Sequence, residues 1–508
     1  MGLSRTANSK RNLITGWINK IILLFLPFLT RTFITYYIGS EYLGLNNLFT
    51  SVLQMLNLAE LGLSSAIVFC MYKPIANNDN DTLCALLNFY RKIYHFIGLF
   101  ILGLGICLIP FLDLFIKGNT PSGINITIIY LFFLINTSLG YLMYSYRSSL
   151  FIAHQRSDVV NKINTFVICI QNIIQIVLLI IFRDYYIYIF MMPIFTLVNN
   201  LIVAYLSKKQ YPNIICRGKL SSEILTDLKY KISGLMVSKL CATSRNSLDN
   251  IIISSFIGLN AVAIYGNYYL IMSGIQSILS IATVSISASV GNSIVLESPK
   301  KNYQDMMKFG FMYSWIAGVC TCCLLNLYQP FMQMWMGQDL MFNYGTVILI
   351  CIYFYSLTLG DVRSVYVTGA GLWWESRFRS ILEALMNIIL NIVLGYFFGI
   401  NGVIVATIIS IILINFGYGS TIIFKYYFKK SYRKYYAINI YYAAVICMSC
   451  IATYLLCSLF IFDGIIGLLI RLIISILVSN MIYLIFYNRL SYFKQSVNFI
   501  KSNFLHIG

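Results

Sequence analysis

Within the first twelve of its long apolar stretches the chain carries eight charged side chains: Arg31, Lys239, Arg245 and Arg363 against Glu60, Asp249, Asp361 and Glu383. An ionised group in an apolar span is costly unless it faces water or a partner, so each one is a candidate for work on a charged cargo or a coupling ion. Arg31 follows Pro27 by four residues, and a proline there frees a backbone carbonyl and permits a kink. Arg245 and Asp249 are four residues apart, which puts them on one helical face where they can pair. Asp361 and Arg363 sit towards one end of their stretch, with Glu383 in the next, an arrangement that suits a gate. A guanidinium clamps phosphate oxygens bidentately through its planar donors, and a carboxylate can take up and release a proton or a cation. Four bases against four acids make the set mixed, which suits a device that grips an anion and also carries a titratable acid. No catalytic constellation appears. The thirteen cysteines are scattered through apolar segments without His or carboxylate companions, so they read as small packing residues and no metal site is expected. Arg471, near the end of its stretch, reads as an interfacial or lipid contact.

The elements that carry these residues follow from composition. Of 508 residues, 59% are hydrophobic and only 10% charged, too few charges to cover a water-soluble fold of this size. Crossing the hydrocarbon layer takes about 20 apolar residues as a helix, and only a helix or a closed barrel satisfies its backbone there. Barrel strands alternate polar and apolar residues, and stretches such as Phe166–Phe182 and Val347–Leu359 do not. The chain is therefore expected to be an all-α polytopic membrane protein of about fourteen transmembrane helices. The predicted spans are 14–38, 45–71, 93–115, 124–145, 163–182, 186–206, 232–257, 264–294, 309–328, 344–367, 380–398, 402–424, 437–460 and 464–488. The basic N-terminus, with Arg5, Lys10 and Arg11, leads into an apolar run too long for a cleavable signal, so it reads as the first span.

Lys and Arg fall on alternate sides of these spans. With the N-terminus inside, 29 of the 36 basic residues lie in inner segments or inner span ends, and only Lys117 and Arg183 in outer ones. Both termini are accordingly expected in the cytoplasm, and the net charge of +19 is mostly a topology signal, with anionic lipid headgroups as secondary partners. Basic residues spread over every inner loop do not make a nucleic-acid site. The longest inner loop, 207–231, is too short for a domain, so function is expected within the membrane region.

Two parts of the chain resemble each other. Phe33-Ile34-Thr35-Tyr36-Tyr37-Ile38-Gly39 parallels Ile252-Ile253-Ser254-Ser255-Phe256-Ile257-Gly258 at an offset of 219 residues, and Asn172-Ile173-Ile174 parallels Asn387-Ile388-Ile389 at 215. Each match pairs a predicted helix with the one six later. The expected organisation is an N-lobe of six helices over 1–206, an inter-lobe loop at 207–231, a pseudo-symmetric C-lobe of six helices over 232–426, and a C-terminal helix pair with its tail over 427–508. Repeats of this kind recur in secondary transporters that work by alternating access.

The stretches Gly39-Ser40-Glu41-Tyr42-Leu43-Gly44-Leu45, Leu58-Ala59-Glu60-Leu61-Gly62-Leu63, Ser247-Leu248-Asp249-Asn250-Ile251-Ile252-Ile253 and Gly371-Leu372-Trp373-Trp374-Glu375-Ser376-Arg377, with Glu383 and Asn387 downstream, resemble the Wzx-type polysaccharide flippases of the MOP superfamily. The resemblance implies a flippase of the bacterial cytoplasmic membrane that moves undecaprenyl-diphosphate-linked oligosaccharide from the inner to the outer leaflet for O-antigen, capsule or exopolysaccharide assembly. It also implies a polysaccharide polymerase and a chain-length regulator as partners, and H+ or Na+ as coupling ion with no other cofactor. By position, Arg31, Arg245 and Lys239 would meet the diphosphate, Glu60 or Asp249 would be the coupling carboxylate, and Asp361, Arg363 and Glu383 would form an inner gate. A cation-coupled multidrug exporter of the same superfamily is the nearest alternative. A membrane-embedded polymerase or acyltransferase is a more distant one, since the outer loops are short and nearly uncharged. No P-loop is present, which argues against self-contained ATP-driven transport.

Overall fold

The computed structural model describes residues 5–60, 63–118, 120–121, 123–222, 225–226, 243, 247–459 and 464–504. These are helical with short connections, and no strand occurs among them. In chain order the helices are α1 (Arg5–Tyr37), α2 (Ser40–Leu56), α3 (Leu63–Ala76), α4 (Asn80–Leu108), α5 (Ile126–Leu142), α6 (Ser148–Ala153), α7 (Ser157–Phe182), α8 (Tyr185–Gln210) and α9 (247–256). They continue with α10 (Leu259–Leu296), α11 (Pro299–Met336), α12 (Tyr344–Thr358), α13 (Asp361–Gly369), α14 (Arg377–Ser410), α15 (Gly419–Ile423), α16 (Arg433–Ser458), α17 (Gly464–Tyr487) and α18 (Ser491–Phe504). Ten helices among the described residues are long and apolar enough to cross a membrane, or eleven if the bent pair at Ile126–Leu142 and Ser145–Ala153 is one span.

The difference from fourteen has local causes. The predicted second span is broken, because α2 passes into a 3-10 turn at Asn57–Glu60 before α3 begins. The predicted seventh falls largely outside the described residues. The eleventh and twelfth are both present, as the two limbs of the stretch Arg377–Phe428 that turn back on each other at Gly399 (φ 59°, ψ −136°), and the count above takes them as one. Glycine tolerates that left-handed backbone because it lacks a Cβ. Bonds across the reversal join residues at similar distances from Gly399, Asn387 to Thr407 and Ser410 and Asn415 to Glu383, so its two limbs run antiparallel. The sequence reading missed α18 altogether. Its Phe493 and Phe499 pack on Trp315 and Phe309 of α11, which holds it against the second unit.

The chain divides into two compact units, Met1–Ala263 and Ile264–Gly508. In the first, Leu45, Leu48, Phe49, Ile67, Tyr90, Ile101 and Tyr130 form the core. On several helices of the second unit polar groups turn inward and apolar ones outward, the pattern of a helix facing lipid. On the first limb of α14, Ser380, Glu383, Asn387 and Asn391 are buried while Leu382, Leu385, Ile389 and Val393 are exposed. Small polar residues let helices approach closely: Ser449 and Thr453 of α16 and Ser475 and Ser479 of α17 are wholly buried.

The two halves of the first sequence repeat end their helices in the same way. Gly39 donates its N–H to the carbonyl of Ile34 at 3.0 Å, and Gly258 donates to that of Ile253 at 3.1 Å, both glycines with positive φ (119° and 127°). Each helix end is fastened by a basic residue from elsewhere. Lys117 donates to the carbonyl oxygen of Phe256 at 2.6 Å, and the Arg183 guanidinium lies over the Tyr37 ring at 5.7 Å. Phe256 and Tyr37 are repeat-equivalent, and Lys117 and Arg183 are the two basic residues that the charge pattern assigned to the opposite side from all other Lys and Arg in the loops. The second repeat match is not reproduced in environment: Asn172 donates to the carbonyl of Ile168 in its own helix.

After Gly39 the chain turns directly into α2, whose Gly44 lies against the start of α10. A Cβ at Gly44 would overlap the carbonyl oxygen of Leu259, a backbone atom that cannot step aside. Gly44→Ala is expected to cost about 1–3 kcal/mol by overpacking. The measurement is thermal unfolding in detergent, and an unchanged midpoint would show that this contact does not constrain the fold.

Candidate functional site

In the first unit the candidate residues are organised by α2. Its Asn47, Ser51 and Gln54 recur at helical spacing and form a polar stripe on one face. Each is met by a different residue. Arg31 donates from Nη2 to Asn47 Oδ1 at 2.9 Å, and the Asn47 amide nitrogen donates onward to the carbonyl of Val262 at 3.4 Å. Asn250 donates to Ser51 Oγ at 2.9 Å, and Ser247 to Gln54 Oε1 at 3.3 Å, which docks α9 on the stripe. Arg31 is half-buried on α1, one turn past Pro27, where Thr30 and Thr32 return their hydroxyls to the carbonyls of Leu26 and Phe28. Asp249 is 1% exposed on α9, between Ser247 and Asn250. Arg245 and Lys239 lie outside the described residues, as does the expected pairing of Arg245 with Asp249.

Glu60 occupies a different setting from the one its sequence suggests. It ends the 3-10 turn at the break between α2 and α3, not the middle of a continuous helix. Its two carboxylate oxygens accept from Tyr94 at 2.6 Å and Tyr141 at 2.8 Å, and Tyr90 donates to Tyr94 at 2.6 Å. This is a carboxylate held by phenols from α4 and α5.

Arg147 reads in the sequence as a loop charge. It is only 5% exposed, in the turn between α5 and α6, and its Nε and Nη1 have no hydrogen-bond partner among the described residues. The turn places the nearby Tyr144 in the left-handed region (φ 60°). Outside the spans, hydrogen bonds from Thr82 hold the Asp79 carboxyl below its ordinary range at the start of α4. Burial lowers the His154 imidazole where it stacks on Tyr211.

In the second unit the three expected gate residues form two groups. Arg363, 2% exposed on α13, donates to the carbonyl of Asn415 at 2.6 Å, to Asn415 Oδ1 at 3.2 Å and to Ser420 Oγ at 3.2 Å. Asn415 donates in turn to both oxygens of Glu383, at 3.2 and 3.0 Å. Arg379 completes the network with a bond to Glu383 Oε2 at 3.0 Å. Asn415 lies in a π-helical stretch, Ile411–Tyr418, where the wider winding loosens the usual carbonyl pairing. The guanidinium of Arg363 fills a space left by two glycines: a Cβ at Gly419 would come within 2.6 Å of Nη1, and one at Gly360 within 3.1 Å of Nη2. Asp361, only two residues from Arg363, accepts instead from Tyr313 at 2.6 Å and Gln276 at 3.0 Å. Gly360 (φ 87°) starts a new helix there, and the two side chains take different partners. A cavity of about 30 Å³, room for one water, lies beside Arg363 between Tyr313, Tyr355 and Tyr435.

Sequence reasoning missed Arg379 and Asn415. Arg379 counts there as an inner-loop charge, although its i,i+4 spacing to Glu383 on a helix is visible. Asn415 could be found only by folding the chain at Gly399. No group of three or more His, Cys, Asp or Glu able to hold a metal occurs among the described residues.

No protein-family model matches this chain, and no curated protein does. Solved structures do. A lipid II flippase MurJ in an inward closed conformation superposes with a TM-score of 0.61 at 18% identity, over 94% of this chain and 99% of its own. An inward-facing multidrug resistance MATE family transporter of the MOP superfamily gives 0.59 at 15% identity, over 80% of this chain and 97% of its own. The Vibrio cholerae MATE transporter VcmN in its bent form gives 0.53 at 13%, over 84% and 98%. The chain is thus a multi-pass helical membrane protein that shares the fold of a lipid II flippase and of MATE transporters.

Proposed function

We propose that this protein is a flippase of the bacterial cytoplasmic membrane that carries undecaprenyl-diphosphate-linked oligosaccharide from the inner to the outer leaflet by alternating access, coupled to H+ or Na+. The observation that carries this reading is reach. The lipid II flippase accounts for 94% of the chain, whereas the two MATE transporters cover 80% and 84% of it, a shortfall about the size of 427–508. The Arg31–Asn47 corner supports an anionic cargo, since a guanidinium presents several donors in one plane and matches phosphate oxygens two at a time. Glu60 or Asp249 would be the coupling carboxylate. The product would feed O-antigen, capsule or exopolysaccharide assembly, with a polymerase and a chain-length regulator as natural partners.

The test is reconstitution. Proteoliposomes holding the full chain should expose a polyprenyl-diphosphate oligosaccharide to an external glycosidase, and a proton or sodium gradient should speed the exposure. Vesicles that ignore this lipid but accumulate an organic cation would return the chain to the exporter reading. The orientation has its own measurement. In this scheme single cysteines at Lys209→Cys and Lys430→Cys label only from the cytoplasmic side, and labelling by an impermeant reagent on intact cells would reverse the topology.

A further inference from the structure

Arg471 has a setting that interfacial snorkelling does not describe. It projects from α17 about 10 Å along the helix from Gly464, taking about 1.5 Å of rise per residue. Its Nε is buried and has no hydrogen-bond partner, and no ion pair to it occurs among the described residues. It lines a cavity of about 480 Å³ together with Asn326 and Gln333 of α11, Tyr344 of α12 and Tyr454 of α16. No acidic residue lines that cavity among the described residues. The four contributing helices line it with their end halves, α11 and α16 with the C-terminal half and α12 and α17 with the N-terminal half. Gly464, Tyr344 and Gln333 stand at or near helix ends, so the mouth opens there, with Arg471 and Asn326 about 10–15 Å deeper.

The remaining lining divides by chemistry. Gln329 is occupied, accepting from Tyr268 at 2.8 Å and donating to the carbonyl of Phe342 at 2.6 Å, so it serves as wall. Asn326 spends its amide nitrogen on Cys322, Thr453 and Ser475, which leaves its Oδ1 as a buried acceptor without a partner among the described residues. Gln333, Met334 and Tyr454 are exposed at the rim. One unneutralised guanidinium, an amide and a phenol at the mouth and one vacant acceptor inside make a donor-rich pocket. It asks for an anion that also brings a hydroxyl.

We propose that this cavity binds the headgroup of an anionic phospholipid, with Arg471 on the phosphodiester oxygens and the Asn326 oxygen accepting from a headgroup hydroxyl. Met334 at the rim and Ile451, one helical turn from Tyr454 on α16, are exposed and give the acyl chains an apolar surface. The site lies entirely within the second unit and does not depend on what the protein transports. Asp463, the nearest acid in sequence, lies outside the described residues and is controlled for in the test.

The experiment is native mass spectrometry and thermal unfolding of the purified full chain with added phosphatidylglycerol, phosphatidylcholine or inorganic phosphate. Phosphatidylglycerol should be retained and should raise the unfolding temperature, while phosphatidylcholine, which lacks headgroup hydroxyls and net charge, should do neither. Arg471→Gln should weaken phosphatidylglycerol binding at least tenfold, and Asp463→Asn should leave it unchanged. A shift produced by inorganic phosphate alone would overturn the lipid and assign the same phosphate chemistry to a soluble source. Equal binding by Arg471→Gln and wild type, equal retention of both lipids, or binding that appears only in Asp463→Asn would overturn the site. Should Arg471→Gln fail to fold, judged by its elution profile and helical dichroism, Tyr454→Phe with Gln333→Ala at the rim gives the same reading through a smaller, several-fold loss.

Discussion

Arg31→Ala is expected to abolish transport while leaving the protein folded and at its normal level in the membrane. The side chain reaches the polar stripe of α2 through a bond to Asn47, and Asn47 remains tied to the carbonyl of Val262 when the guanidinium is gone. The packing of α2 on the start of α10 therefore survives the substitution. The cargo loses the planar donor pair. Two charge-assisted bonds to a diphosphate, at about 1.5–3 kcal/mol each, correspond to a loss of roughly 100-fold or more in flux. Arg31→Lys keeps the charge as a single point and should recover only part of it, because an ammonium cannot clamp two oxygens in one plane. The measurement is the initial rate of lipid-linked oligosaccharide exposure in proteoliposomes of matched protein content. An Arg31→Ala rate close to that of wild type would remove Arg31 from the binding site.

The second large effect is on stability. Glu383 is the carboxylate of the network that joins Arg379, Asn415 and Arg363, and its side chain is 9% exposed. Glu383→Gln preserves shape but removes the charge that the two guanidiniums share. Breaking a buried ion pair by removing one partner costs about 3–5 kcal/mol, because the remaining charge is left uncompensated. The variant is expected to unfold at markedly lower temperature in detergent. Replacing Arg379 and Glu383 together with methionine should recover a large part of the loss, since a hydrophobic pair of similar volume needs no desolvated charge. If the single variant is as stable as wild type, the network is ornamental to the fold. If the double variant is worse than the single, the stabilisation resides in Asn415 and not in the ion pair.

Part of this architecture was legible from the residues alone, and part was not. A span announces itself locally, because about 20 apolar residues must satisfy their own backbone wherever they sit in the chain. Length and composition were therefore enough for an all-helical, multi-pass protein, and the repeated Ile–Gly helix endings at 39 and 258 were already visible as a repeated string. Interruptions of the spans were harder to see. Glu60 reads as mid-helix because its neighbours are apolar, yet the chain winds into a 3-10 turn there, and two tyrosines from separate helices take its oxygens. Partner choice inside the bundle was legible only between near neighbours on one helix, such as Arg379 and Glu383. Arg363 and Glu383 are well separated in the chain and meet through Asn415, which comes near only because Gly399 reverses α14. Arg379 and Arg147 counted as loop charges, and the tertiary packing drew both inward. Arg471 looked like a lipid contact, and four helices enclosed it in a cavity. Apolarity and charge determine by themselves which segments enter the membrane. Which polar groups meet there depends on helix reversals and close approaches that join residues far apart in the chain, and only the folded structure supplies those distances.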